Sequence, residues 1–158
     1  MTTKKDEQWM RKAIALANES IVKGGGPFGA VIVKEGKIIA AANNSVTLDN
    51  DPTAHAEVNC IRAACTQLHT FDLSGCTLYT SCEPCPMCLG AIYWAHLDRI
   101  YYGNNRNDAA RIGFDDDFIY RELELQREER STPIIPLLRE EALDSFRRWK
   151  EKTDKTEY

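Results

Sequence analysis

Cys76-Thr77-Leu78-Tyr79-Thr80-Ser81-Cys82-Glu83-Pro84-Cys85-Pro86-Met87-Cys88-Leu89-Gly90-Ala91-Ile92-Tyr93-Trp94-Ala95, residues 76–95, reads as a strand running straight into a helix. Cys76–Ser81 is rich in β-branched and aromatic residues, as strands are. Cys85–Ala95 is predicted helical, with proline in its first turn, where the missing N–H costs nothing. Arg99-Ile100-Tyr101-Tyr102-Gly103 then predicts a second strand. Strand, helix and strand over so few residues predict a right-handed crossover between parallel neighbours.

The pattern upstream is consistent with that nucleus. Residues 6–23 predict a helix with Trp9, Met10, Ala13, Ile14, Ala17 and Ile21 on one face, ended by Gly24-Gly25-Gly26-Pro27. Residues 28–34 and 37–43 predict a hairpin turning at Glu35-Gly36. A polar loop is expected over 44–53. A helix from Pro52 to about His69, capped by Asp51, carries Val58, Ile61, Cys65 and Leu68 as its apolar stripe. Downstream, 106–130 is helical in pattern with a break at Gly113-Phe114. Ile134–Leu138 reads as a short strand or an extended edge piece, because Pro133 and Pro136 exclude a central strand, and 140–152 is a charged helix. Together these predict an α/β, three-layer fold, with a mixed sheet of about five strands and helices on both faces.

The 158 residues predict one domain, and no internal repeat is visible. Lys plus Arg number 20 against 24 Asp plus Glu, a net charge of −4, which argues against nucleic acid as the main partner. No run of 18 apolar residues predicts a membrane span, and Met1–Glu7 does not resemble a secretory signal. Three of the six cysteines are packed into Cys82–Cys88 rather than spread over a small loop-rich scaffold, which predicts metal binding in a reducing, cytoplasmic setting.

His55-Ala56-Glu57 and Pro84-Cys85-Pro86-Met87-Cys88 form the chemical constellation. Cysteines three apart in a first helical turn point the same way, and a helix N-terminus favours thiolate. One imidazole and two thiolates are the three protein ligands of a catalytic Zn²⁺ that keeps one position open. Glu57 is near the metal yet free to carry protons. The order of these residues matches the signature of zinc-dependent nucleobase deaminases. A redox Cys-x-x-Cys pair would leave His55 and Glu57 without a task. A closed structural site with Cys82 as fourth ligand is the sharper alternative, although Pro84 and the strand end are expected to turn Cys82 away. Cys60, Cys65 and Cys76 read as core fillers.

On these motifs the chain resembles the cytidine deaminase superfamily and, within it, the bacterial guanine deaminases. The likeness includes Gly25–Val33, Asn50–Glu57, Leu78–Ala95 and Ile112-Gly113-Phe114-Asp115-Asp116-Asp117-Phe118-Ile119. It implies hydrolytic deamination of a small purine, guanine to xanthine and ammonia, by metal-activated water. It implies one zinc per subunit held by His55, Cys85 and Cys88, with Glu57 as proton shuttle. Asn44, the backbone of Ala56, and Asp116 would bind substrate, between aromatic walls Phe28 and Trp94. It further implies a homodimer exchanging residues from about Pro133, with Tyr158 closing a pocket. On pattern alone Asn44 is also a turn residue, Asp116 a solvated helix start, Phe28 and Trp94 core residues, and Tyr158 a frayed terminus. Asn104–Asn107 and Glu124–Thr132 match the family only loosely. Alternatives are a guanosine deaminase, a tRNA adenosine deaminase, and a non-enzymatic zinc domain.

Overall fold

The computed structural model describes residues 2–158, which form two compact units, one extending to Asp117 and the other Phe118–Tyr158. The first begins with α1 (Lys4–Val22), which is capped reciprocally: Asp6 N–H donates to Thr3 Oγ1 at 3.2 Å, and Thr3 N–H to Asp6 Oδ2 at 2.6 Å. The hairpin β1 (Gly29–Lys34) and β2 (Lys37–Asn43) turns at Glu35 and Gly36, whose φ values of 50° and 73° give the twist of a two-residue hairpin turn. The short α2 (Val46–Asp49) precedes α3 (Ala56–Leu68), β3 (Cys76–Cys82), α4 (Pro86–Trp94), β4 (Arg99–Asn104) and α5 (Arg106–Arg111).

The sheet order is β2-β1-β3-β4. β1 is antiparallel to both neighbours and β3 is parallel to β4, so the sheet is mixed. Alternation along β1 feeds two cores. Val31 and Val33 pack with Ala13, Leu16 and Tyr79 on the α1 side. Ala30 and Ile32 pack with Ala56, Cys60, Ala64, Leu78 and Ile92 on the α3/α4 side. These are the three predicted layers.

The structure corrects several boundaries. The sheet has four strands, not about five, since Ile134–Leu138 joins no ladder; Pro133 and Pro136 bring no N–H to one. The expected loop 44–53 contains α2. Asp51 does not cap α3. It accepts the Thr53 N–H at 2.8 Å and hydroxyl at 2.7 Å in a local turn, and His55 is the N-cap. The helices dock by the predicted faces, with the small residues deepest: Trp9 and Met10 of α1 and Ile61, Cys65 and Leu68 of α3 pack part-buried against the two cores. α1 buries Ala13, Leu16, Ala17 and Ser20, leaving Ile14 and Ile21 exposed. α3 buries Ala56, Glu57, Cys60 and Ala64, because small side chains let the helix lie close to the sheet. The pattern at 106–130 divides into α5, α6 (Asp116–Glu124) and a 3₁₀ turn at Arg127–Glu129. The second unit comprises α6 beyond Asp117, that turn and α7 (Arg139–Glu151), and it has no buried residue. No helix among the described residues is long and apolar enough to cross a membrane.

Candidate metal centre and active-site cavity

Two helix N-termini meet beyond the end of β3. His55 caps α3 and Cys85 caps α4, both in extended backbone conformation, so each side chain leaves its helix at the first turn. Cys85 Sγ accepts the Cys88 N–H at 3.5 Å, so the Cys-x-x-Cys spacing is itself the capping arrangement. His55 makes no cap bond. Its Nδ1 lies 3.6 Å from Cys85 Sγ and 3.4 Å from Cys88 Sγ.

Those distances test whether zinc fits. Bonds of about 2.3 Å to sulfur and about 2.05 Å to nitrogen, at a tetrahedral angle, put S and N about 3.6 Å apart. All three donor atoms lie within 4.8 Å of one another, so His55, Cys85 and Cys88 could hold one ion. Cys82 is outside this group. It is buried and its Sγ faces Asn105 O at 3.9 Å, which speaks against the closed four-ligand site. Two sulfurs and an imidazole are donors of the kind that hold zinc. Hydrogen bonding from Cys88 and His55 draws the Cys85 thiol down to about 4. The same pairing pushes Cys88 up. His55 is raised, first by its hydrogen bond to Cys85.

Glu57 is 5% exposed, beneath the cluster. Its Oε1 accepts the Thr80 hydroxyl at 3.1 Å from β3, and its Oε2 lies 3.5 Å from Cys88 Sγ. Burial pushes its carboxyl above the usual carboxylate range. That is the direction needed by a group that both takes and returns protons near neutral pH.

A cavity of about 300 Å³ opens on this cluster, lined in part by Phe28, Asn44, His55, Glu57, Phe114 and Asp116. That volume is at the small end of ligand pockets. Asn44 Oδ1 accepts N–H groups from Gly26 at 3.3 Å and Val46 at 3.2 Å, which leaves the amide NH₂ as the end free to meet a ligand. Asp116 is half-buried, and burial raises its carboxyl. Ala56 does not line the cavity. It is fully buried as first residue of α3, where a backbone N–H has no acceptor within the helix. Trp94 is not brought to the cavity of its own chain either: it ends α4, 67% exposed. Tyr158 lies in the second unit, 74% exposed.

Sequence reasoning missed Phe114, which meets Phe28 edge-on at 4.8 Å and 83°. The Gly113-Phe114 break was visible, but not which wall the aromatic would join. It also missed Glu83, Thr47 and the Gly24-Gly25-Gly26 rim of the cavity. Asn59 was equally unforeseen. Its amide bridges Asn43 O, Ser45 Oγ and Ala54 O, tying α3 to the loop that carries Asn44.

Comparison with known proteins agrees with this geometry. Residues 3–104 match the cytidine and deoxycytidylate deaminase zinc-binding region. The chain is 52% identical over 153 residues to a guanine deaminase of Bacillus subtilis, covering 96% of this chain and 98% of that protein. The X-ray structure of the guanine deaminase from Bacillus subtilis superposes with a TM-score of 0.93 at 52% identity, covering 96% of this chain and 98% of that one. A tRNA-specific adenosine deaminase of Aquifex aeolicus is 44% identical over 96 residues, 61% of this chain and 64% of that protein. Zinc is thus the metal for which the His55, Cys85 and Cys88 donors are suited, and the chain belongs to the zinc-binding cytidine and deoxycytidylate deaminase family.

Proposed function

We propose that this protein hydrolyses guanine to xanthine and ammonia. The observation that carries the reading is the extent of the likeness. Identity to a guanine deaminase runs through 96% of the chain, whereas the tRNA-specific relative matches 96 residues. The cavity supports it. Asn44 offers amide donors and Asp116 a carboxylate acceptor, a complement to a purine that carries both a carbonyl and ring N–H groups. Phe28 supplies an apolar wall, backed by Phe114.

In the mechanism, His55, Cys85 and Cys88 would hold the zinc. When bound, zinc supplies Lewis acidity that makes a water molecule ionisable near neutral pH. Glu57, held by Thr80, takes a proton from the attacking water and delivers protons to the ring nitrogen and the departing amine. Its burial keeps competing solvent away from that transfer. The family likeness assigns the Ala56 N–H as a donor to substrate; it has no acceptor within its own helix, and although Ala56 itself does not line the cavity, its chain neighbours His55 and Glu57 do. Asn44 and Asp116 orient the base.

The working form is a homodimer with the C-terminal segment exchanged. Supporting this, the second unit buries nothing, with Ile135 80%, Leu137 82% and Phe146 74% exposed. α4 is apolar on all sides yet exposes Tyr93 and Trp94, so a wall role for Trp94 requires a neighbouring subunit. The six unpaired cysteines suit a reducing cytoplasm.

A substrate panel of guanine, guanosine, adenine, cytosine and a tRNA anticodon stem-loop, read by ammonia release, tests the activity. Guanine is turned over fastest. Preference for guanosine would replace the reading with nucleoside deamination, and preference for the RNA would replace it with the activity that the tRNA-specific relative's name carries. Deleting Tyr158 lowers kcat/KM for guanine on the order of tenfold if the terminus closes a pocket. Wild-type kinetics for the deletion would remove the lid.

A further inference from the structure

Resting on the free-base reading above, we propose that Glu83 is a specificity-determining residue that makes the cavity select against anions, both phosphorylated purines and the ionised product. The cavity is lined by three carboxyl side chains, Glu57, Glu83 and Asp116, and by no lysine or arginine among the described residues. His55 is its one basic side chain, and it belongs to the metal cluster. Two thiolates offset the charge of a divalent ion, so the metal centre adds no net positive charge to compensate the carboxylates.

Glu83 is the member of this set that the proposed chemistry does not use. It directly follows β3, and its residue is tied at both ends. Its N–H donates to Asn104 O at 2.8 Å, and its Oε2 accepts the Arg106 N–H at 2.9 Å. The carboxylate is therefore held on the cavity wall instead of swinging into solvent.

The reaction makes such a charge useful. Deamination breaks a C–N bond and forms a C=O bond: amine plus water gives carbonyl plus ammonia. The new carbonyl withdraws electrons from the adjacent ring N–H and makes it more acidic, so product carries more negative charge than substrate. Like charges in a partly desolvated cavity repel far more strongly than in bulk water. The same wall that admits a neutral base thus expels its ionised product and excludes a phosphate ester.

The test uses the zinc-loaded enzyme and its Glu83→Gln variant, which keeps an oxygen for the Arg106 N–H. Inhibition of guanine turnover is measured with urate, an anion at neutral pH, and with hypoxanthine, a neutral oxopurine. Expected is a tightening of urate by about fivefold to tenfold in the variant relative to hypoxanthine. Raising NaCl from about 20 mM to about 300 mM should also tighten urate, but not hypoxanthine, on the wild-type enzyme, because salt screens the repulsion. An equal change for both ligands, or none, overturns the proposal, and the salt series decides alone if the variant loses its metal. Absence of guanine turnover by the wild type would instead sink the activity on which the proposal rests.

Discussion

Glu57→Gln abolishes deamination without dismantling the site. The expected loss in kcat is about 10²–10⁴-fold, the range that a positioned general acid–base contributes. The substitution is nearly isosteric in a position only 5% exposed, so packing is conserved. A glutamine oxygen still accepts the Thr80 hydroxyl, now 3.1 Å from Glu57 Oε1. Glu57 is outside the His55, Cys85 and Cys88 donor group, so zinc content stays at one per chain and thermal unfolding moves little. The three measurements separate the explanations. Loss of turnover with zinc retained assigns the proton transfers to Glu57. Joint loss of zinc and turnover makes Glu57 a support for the metal. A wild-type kcat removes the mechanism altogether.

Gly29→Ala has the largest expected effect on stability. A Cβ at Gly29 would lie 2.3 Å from Ala13 O, 2.5 Å from Ala17 N and 2.7 Å from Leu16 Cβ. The first two are backbone atoms of α1, which cannot move singly, so the whole helix must rise from the sheet. That opens the core in which Ala13 and Leu16 pack against Val31 and Val33. Overpacking typically costs about 1–3 kcal/mol, and a clash with rigid backbone belongs at or above the upper end. The displacement also reaches the site: Gly29 N–H donates to Ser81 Oγ at 3.0 Å, one residue before Cys82 on the strand that leads to Cys85. Urea unfolding should show a midpoint lowered by about 3 kcal/mol in equivalent stability, with weaker zinc retention. A midpoint within about 0.5 kcal/mol of wild type would show that α1 does not pack as tightly as the geometry requires.

Legibility varied with the range of the interaction. The grouping of His55, Cys85 and Cys88 was readable because helix capping is local: His55 and Cys85 each stand at the first turn of a helix, and Cys88 follows one turn later. The hairpin was readable because Glu35-Gly36 adopts the positive φ values that such turns need. Asp116 resembled a solvated helix start in the Asp115-Asp116-Asp117 run, and only its place on the cavity wall distinguishes it. Phe114 gave no local signal, since its partner Phe28 lies 86 positions earlier in the chain and precedes β1. The helix faces were legible through Trp9, Met10, Ile61, Cys65 and Leu68, which pack on the cores, but the most deeply buried positions were not. Hydrophobic periodicity ranks bulky residues first, whereas α1 and α3 approach the sheet through Ala13, Ala17, Ala56, Cys60 and Ala64.

Sequence alone determined the His55, Cys85 and Cys88 grouping, the strand-helix-strand unit that presents Cys85 and Cys88, and the three-layer class. Each follows from residue type and spacing within a few turns of chain. Tertiary structure decided which carboxylates share one cavity, that Cys82 turns to Asn105 and away from the donors, and that Trp94 stands outside its own cavity. Those outcomes depend on how strands and helices distant in sequence come to lie side by side, a matter of packing that no local pattern encodes.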